Sequence, residues 1–149
     1  MNTEAPAWPE WSTPPAHLAP GSGAQAVAQA LAWLEAQGEQ RHWPAKAMFA
    51  LTLCADEAMV NTTSYAQSSD GQPAQLFLSC GDTPGGIAVC IEDDGLAFDP
   101  TQQESPPLAA TLDDADIGGH GLRLMHHYLR HMLYRREGER NVLLLEVAL

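Results

Sequence analysis

Lysine is nearly missing from this chain. Among 149 residues there are 7 Lys+Arg against 19 Asp+Glu, a formal net charge of −12. Lys46 is the single lysine, and no Lys or Arg occurs from residue 47 to residue 122. A chain without a basic face is poorly suited to duplex nucleic acid or to an anionic membrane, so both are excluded as partners. No apolar run approaches the roughly 20 residues of a membrane span. The first twenty residues carry five prolines but no basic segment followed by an apolar one, so they do not read as a secretory signal. The three cysteines (Cys54, Cys80 and Cys90) lack a CxxC spacing. They read as reduced core residues of a cytoplasmic protein.

What remains is ordinary for a globular domain. Apolar residues make up 45% of the chain. The length predicts one domain with a sizeable core. Residues 1–23 are rich in Pro, Ala, Gly and Ser and read as an arm with room for one short edge strand. Trp8 and Trp11 give it something with which to dock. Residues 24–149 read as the domain proper.

Within that domain, Val27, Leu31 and Leu34 predict a helix over 24–37 that Gly38 ends. Pro44 opens a second, longer helix running to about Ala66. Gln75–Cys80 and Gly86–Glu92 predict a hairpin with Ile87, Val89 and Ile91 on one face. Residues 99–117 are rich in Pro and Asp, without a period, and read as a loop. Gly121–His131 reads as a helix. Met132–Arg136 and Asn141–Val147 form a second hairpin around Glu137-Gly138-Glu139. Short connections between strands exclude parallel crossovers. The expected class is therefore α+β, a two-layer α/β sandwich with a mostly antiparallel sheet and helices on one face.

Three elements carry candidate chemistry. On the long helix, Phe49, Leu53, Glu57, Asn61 and Tyr65 recur every four residues and share a stripe. The stripe turns from apolar to a carboxylate and a carboxamide one turn apart, which marks either a site or a face rolled into solvent. The second element is the run Ile91-Glu92-Asp93-Asp94-Gly95. A carboxylate at a strand end can accept a hydrogen bond from an exocyclic amine, and the glycine lets a flat ring approach the backbone. The same residues also fit an ordinary Asp-Gly turn. The third is Gly118-Gly119-His120-Gly121-Leu122 at a helix start, where free N–H groups can cradle an anion. A P-loop is excluded because GxxxxGK[ST] is absent, and a dinucleotide fingerprint because no βαβ unit surrounds the glycines. His126, His127 and His131 read as packing or surface residues on one helix, with no carboxylate to complete a metal site. Trp33 and Trp43 read as packing residues.

Taken in order, Glu57-x-x-x-Asn61, Asp93-x-Gly95 and Gly119-x-Gly121 resemble the Bergerat ATP-binding domain of the histidine-kinase-like ATPases. Within that group they are most similar to the anti-sigma-factor serine/threonine kinases. Phe98-Asp99-Pro100 and Tyr134-Arg135-Arg136-Glu137-Gly138 extend the resemblance. It implies ATP and Mg²⁺ as cofactors. Glu57 corresponds to the general base and Asn61 to the Mg²⁺ ligand. Asp93 corresponds to the reader of the adenine amine, with Gly95 beneath the ring. Gly119, Gly121 and the adjoining Leu122 lie around the phosphates, with residues 99–118 as the lid. The implied partners are a STAS-type anti-anti-sigma protein and a sigma factor, with a homodimer as the assembly. One departure stands out: Asp113-Asp114-Ala115-Asp116-Ile117 has no arginine, where related kinases often place one.

Overall fold

A computed structural model describes residues 8–65, 71–102, 125 and 127–149. Five strands form one antiparallel sheet: β1 (Ala16–Gly21), β2 (Leu76–Thr83), β3 (Gly86–Asp93), β4 (His131–Glu137) and β5 (Arg140–Ala148). Their spatial order is β1-β2-β3-β5-β4, so the last strand in sequence lies inside the sheet. Two helices, α1 (Gly23–Gln40) and α2 (Ala45–Tyr65), cover one face. The expected sandwich and both expected hairpins are present, and the edge strand comes from residues 16–21.

The core lies between α2 and the sheet. Alternation along the strands sends Leu76, Leu78 and Cys80 of β2, Ile87, Val89 and Ile91 of β3, and Leu143, Leu145 and Val147 of β5 toward the helices. They meet Ala47, Leu51, Cys54, Ala55, Ala58 and Met59 of α2. Small alanines let this helix sit close to the sheet, and burial on this scale is the main favourable term for the fold.

Several boundaries differ from the sequence expectations. Gly38 does not end α1, which continues to Gln40. It is glycine for a packing reason: a Cβ there would lie 2.3 Å from the Met48 sulfur of α2. The helix expected over 121–131 ends before His131. Leu129 N donates to Met125 O at 2.9 Å, and Arg130 N already donates to Glu146 O at 2.7 Å. His131 then begins β4 opposite Glu146. A one-turn 3₁₀ helix, Pro100–Gln102, opens the stretch expected to be loop throughout. It is capped by Asp99, whose Oδ1 accepts from Thr101 N at 2.9 Å.

The second face of the sheet is covered too. Val142 and Leu144 point away from the helices, yet are 1% and 3% exposed. Trp8 and Trp11 line a cleft with them, together with Cys90 and Arg135. The Arg135 guanidinium stacks 4.2 Å from the Trp8 ring, and Trp11 packs on Gly81. Cys90 therefore belongs to this second face and is half-buried, whereas Cys54 and Cys80 are core residues as expected. All three are free thiols, and burial pushes each up to about 12.

Asp82 fastens the arm to the domain. Its carboxylate accepts from Trp43 Nε1 at 2.8 Å and pairs with Arg41 at 3.3 Å, and Thr13 Oγ1 donates to it at 3.1 Å. The connection between α1 and α2, strand β2 and the arm therefore share one charge. Gly86 closes the β2–β3 turn, where a Cβ would lie 2.0 Å from Val147 O.

Candidate functional site

Helix α2 and the ends of β3 and β5 converge on one pocket. Asn61 and Thr62 line it from α2, Asp93 from β3, and Asn141 and Leu143 from β5. Ile91, Phe98, Pro100 and Met125 supply apolar walls. The free space between these walls is about 20 Å³, room for one water.

Asp93 is the last residue of β3 and is 5% exposed. Its Oδ1 accepts from Gly95 N at 2.9 Å and from Asn141 Nδ2 at 2.9 Å. The first bond is an Asx turn, so the turn reading of this motif and its site reading describe the same atoms. Oδ2 takes no hydrogen bond among the described residues. Desolvation raises the Asp93 carboxyl above its ordinary range. The Asn141 and Gly95 bonds and the Arg136 charge pull the other way. Gly95 is buried behind Asp93, with its carbonyl held by Arg136 NH1 at 2.7 Å.

Asn141 organises this corner. Its Nδ2 donates to Asp93 Oδ1 and, at 2.9 Å, to Leu96 O. Its Oδ1 accepts from Tyr134 Oη at 2.5 Å and from Phe98 N at 3.2 Å. One side chain thus fixes the aspartate and the chain that follows it. Asn141, Tyr134 and Arg136 were not among the sequence candidates for the site. The available signal was parity: Asn141 shares the alternation of the inward Leu143, Leu145 and Val147.

The stripe on α2 is a border and not a core face. Phe49 is 60% exposed, and Leu53, Glu57 and Asn61 are half-buried. Glu57 lies one turn before Asn61, outside the residues that line the pocket. Its Oε1 is shielded from solvent and has no hydrogen-bond partner among the described residues. Burial, reinforced by the neighbouring Asp56 charge, raises the Glu57 carboxyl above its ordinary range. Leaving such an atom unpaired costs about 1–3 kcal/mol, and perturbed groups of this kind concentrate at functional sites.

The structure therefore brings Asn61 and Asp93 onto one pocket, with Glu57 one turn away. Gly119, Gly121 and Leu122 lie outside the described residues, as do most of the lid, Arg123 and His126. The histidine pair is corrected: His131 lies on β4, not one helical turn after His127, and its Nδ1 bonds Glu146 Oε1 at 2.8 Å. A carboxylate is thus beside His131 after all. Among the described residues, no group of three His, Cys, Asp or Glu could hold a metal.

Residues 22–147 match the histidine kinase-like ATPase domain. The chain belongs to that family. Among similar proteins is a serine/threonine-protein kinase, BtrW, from Bordetella bronchiseptica. It is 47% identical over 113 residues, which are 76% of this chain and 79% of that protein. Among solved structures, the RsbU and RsbW domains of a Mycobacterium tuberculosis protein align with 91% of this chain at a TM-score of 0.61 and 10% identity. The aligned part is 32% of that larger chain. The histidine kinase domain of a blue-light activated histidine kinase from Erythrobacter litoralis aligns with 83% of this chain and 59% of its own, at a TM-score of 0.51 and 14% identity. At such identities the two structures speak for the fold, which is the Bergerat sandwich expected from the motifs. No helix among the described residues is long and apolar enough to cross a membrane.

Proposed function

We propose that this chain is an ATP- and Mg²⁺-dependent serine/threonine protein kinase of the anti-sigma type. Its substrate is a serine on a STAS-type anti-anti-sigma protein, and a sigma factor is the second partner of the switch. A cytoplasmic location goes with those partners. The observation that carries the reading is Glu57 Oε1, shielded and without a partner among the described residues, one helical turn from Asn61 on the helix that also walls the Asp93 pocket.

The residues present suit the cofactors. Asp93 Oδ2 is left to accept from the exocyclic amine of a purine, while Asn141 and Gly95 hold Oδ1. Apolar walls suit the ring faces. A free space of about 20 Å³ between the described walls is smaller than a purine, so binding requires the pocket to open. Asn61 offers one amide oxygen, the donor type Mg²⁺ takes alongside water and phosphate oxygens. Bound ATP supplies the phosphoryl group and bound Mg²⁺ neutralises its charge. Glu57 takes the proton of the incoming serine hydroxyl, and a carboxylate raised by burial is the better base for that step. Gly119, Gly121 and Leu122, outside the described residues, would offer backbone N–H groups to the phosphates.

Labelled ATP and a purified STAS-domain protein from the same genome test the proposal. Wild type transfers label and Glu57→Ala does not; equal transfer by the two, or none by wild type, refutes the kinase. The lid sequence Asp113–Ile117 without arginine favours a second reading, a nucleotide-sensing binding module. Tight Mg-ATP binding without transfer would select it.

A further inference from the structure

A second concavity lies toward the other end of α2. The start of α2, residues 127–130 and the end of β5 enclose an open groove of about 900 Å³. Its floor is apolar, formed by Ala47, Ala50 and Val147. Phe49 stands at its edge, 60% exposed, with its ring edge-on to Tyr128 at 6.3 Å between centroids. A large aromatic held in a defined pose and left in solvent is the usual form of a binding anchor.

Charge says what kind of surface fits. Among the described residues the groove is lined by Lys46 and Arg130 and by no Asp or Glu side chain, in a chain of net charge −12. Lys46 is exposed and has no ion-pair partner among the described residues. Arg130 is half-exposed and lies 3.5 Å from Glu146. An acidic surface is repelled by most of this molecule and is accepted here.

Position says why it would matter. Phe49 and Glu57 are eight residues apart on one helix stripe, about 12 Å along the axis at 1.5 Å per residue. Leu53 bridges them. A protein seated on Phe49 can therefore reach Glu57 with a short loop.

We infer that the groove beside Phe49 is the docking site of the protein substrate, which presents an apolar knob ringed by carboxylates. The inference rests on the kinase reading and names the surface that reading leaves open. It places substrate affinity in Phe49 and Lys46 and leaves the chemistry to Glu57.

Steady-state phosphorylation of the same STAS-domain protein tests it, with Phe49→Ser, Lys46→Glu and the conservative Phe49→Tyr. Phe49→Ser should raise the KM for the protein substrate by about tenfold or more, as loss of an anchor does. Lys46→Glu should raise it less, and most at low salt. Phe49→Tyr should restore it. The kcat at saturating substrate and the Mg-ATP affinity by calorimetry should not move. An unchanged protein KM in an active enzyme overturns the docking site and leaves the kinase standing. A fall in kcat or ATP affinity with KM unmoved also overturns it. Concentration-dependent self-association of wild type that Phe49→Ser abolishes, with KM unmoved, assigns the groove to a second copy and overturns it. If wild type transfers nothing, the kinase reading fails and the docking site falls with it.

Discussion

Asn141 on β5 lies directly opposite Asp93 on β3, and its Nδ2 donates to Asp93 Oδ1 at 2.9 Å. The pair holds Oδ1 inside the protein and leaves Oδ2 without a hydrogen bond among the described residues. Asn141→Ala removes four hydrogen bonds at once and strands Phe98 N and Leu96 O. It should cost about 2–4 kcal/mol of stability, from several lost bonds at about 1 kcal/mol each plus unpaired partners. Urea midpoints read the loss, and Mg-ATP affinity should fall with it. A midpoint equal to wild type would contradict the role given to Asn141.

Asp93→Asn separates stability from function. The amide oxygen can keep the bonds from Gly95 N and Asn141, while the buried charge disappears. The unligated variant should melt at the wild-type temperature or above it. Its ATP affinity should drop by about 10- to 100-fold, the scale of one hydrogen bond to a charged group. Calorimetry and thermal melting on the same preparation check both halves.

The pH dependence of stability runs opposite to the usual carboxylate case. Asp93 and Glu57 are both raised by burial, so the folded chain holds their protons longer than the unfolded chain does. Their contribution is full below the ordinary carboxylate range and is lost as pH rises through the folded values. The stability advantage of Asp93→Asn over wild type should grow from about pH 4 upward, then level off once the raised group has titrated. Chemical denaturation across pH measures it, and an advantage that shrinks with pH would have the wrong sign.

Glu57→Gln should lower kcat by about 10²–10⁴-fold, the range for a lost general base, with Mg-ATP affinity nearly unchanged. Because Oε1 is shielded and has no partner among the described residues, the variant should fold at least as stably as wild type. A loss confined to KM for ATP would move Glu57 from proton transfer to nucleotide binding.

ATP affinity should collapse in EDTA. From residue 47 to residue 122 there is no Lys or Arg to meet the phosphates, so Mg²⁺ and backbone N–H groups carry most of that charge, with arginines only from Arg123 onward. Calorimetry with and without chelator decides this, and an EDTA-insensitive affinity would refute it.

Glu146 illustrates what a linear reading misses. It sits on the outer face of β5 and reads as solvent-facing, yet it is 1% exposed. Thr83 Oγ1 donates to its Oε2 at 2.5 Å, and His131 and Arg130 meet its Oε1 at 2.8 and 3.5 Å. The three groups come from two other strands and the end of a helix. The Asp93-x-Gly95 motif was legible because its turn is made within three residues. Asn141 was not, because its role depends on β5 lying next to β3. Phe49 was read as the apolar end of a site stripe. Helix spacing gives the stripe but not its angle to the sheet, and packing of Ala50, Leu51 and Cys54 turns Phe49 outward.

The sequence alone determined the order of elements, the antiparallel class, the ordered carboxylate, amide and glycine motifs of the family, and the absence of Lys and Arg from residue 47 to residue 122. Each follows from local periodicity or from a simple count. Tertiary structure decided the partner of Asp93, the burial of Glu146, the cover that Trp8 and Trp11 lay over the second sheet face, and the outward aromatic at the groove. These depend on which strands become neighbours and in what register. Contacts between residues distant in the chain set that choice, and the spacing of side chains along one strand does not encode it.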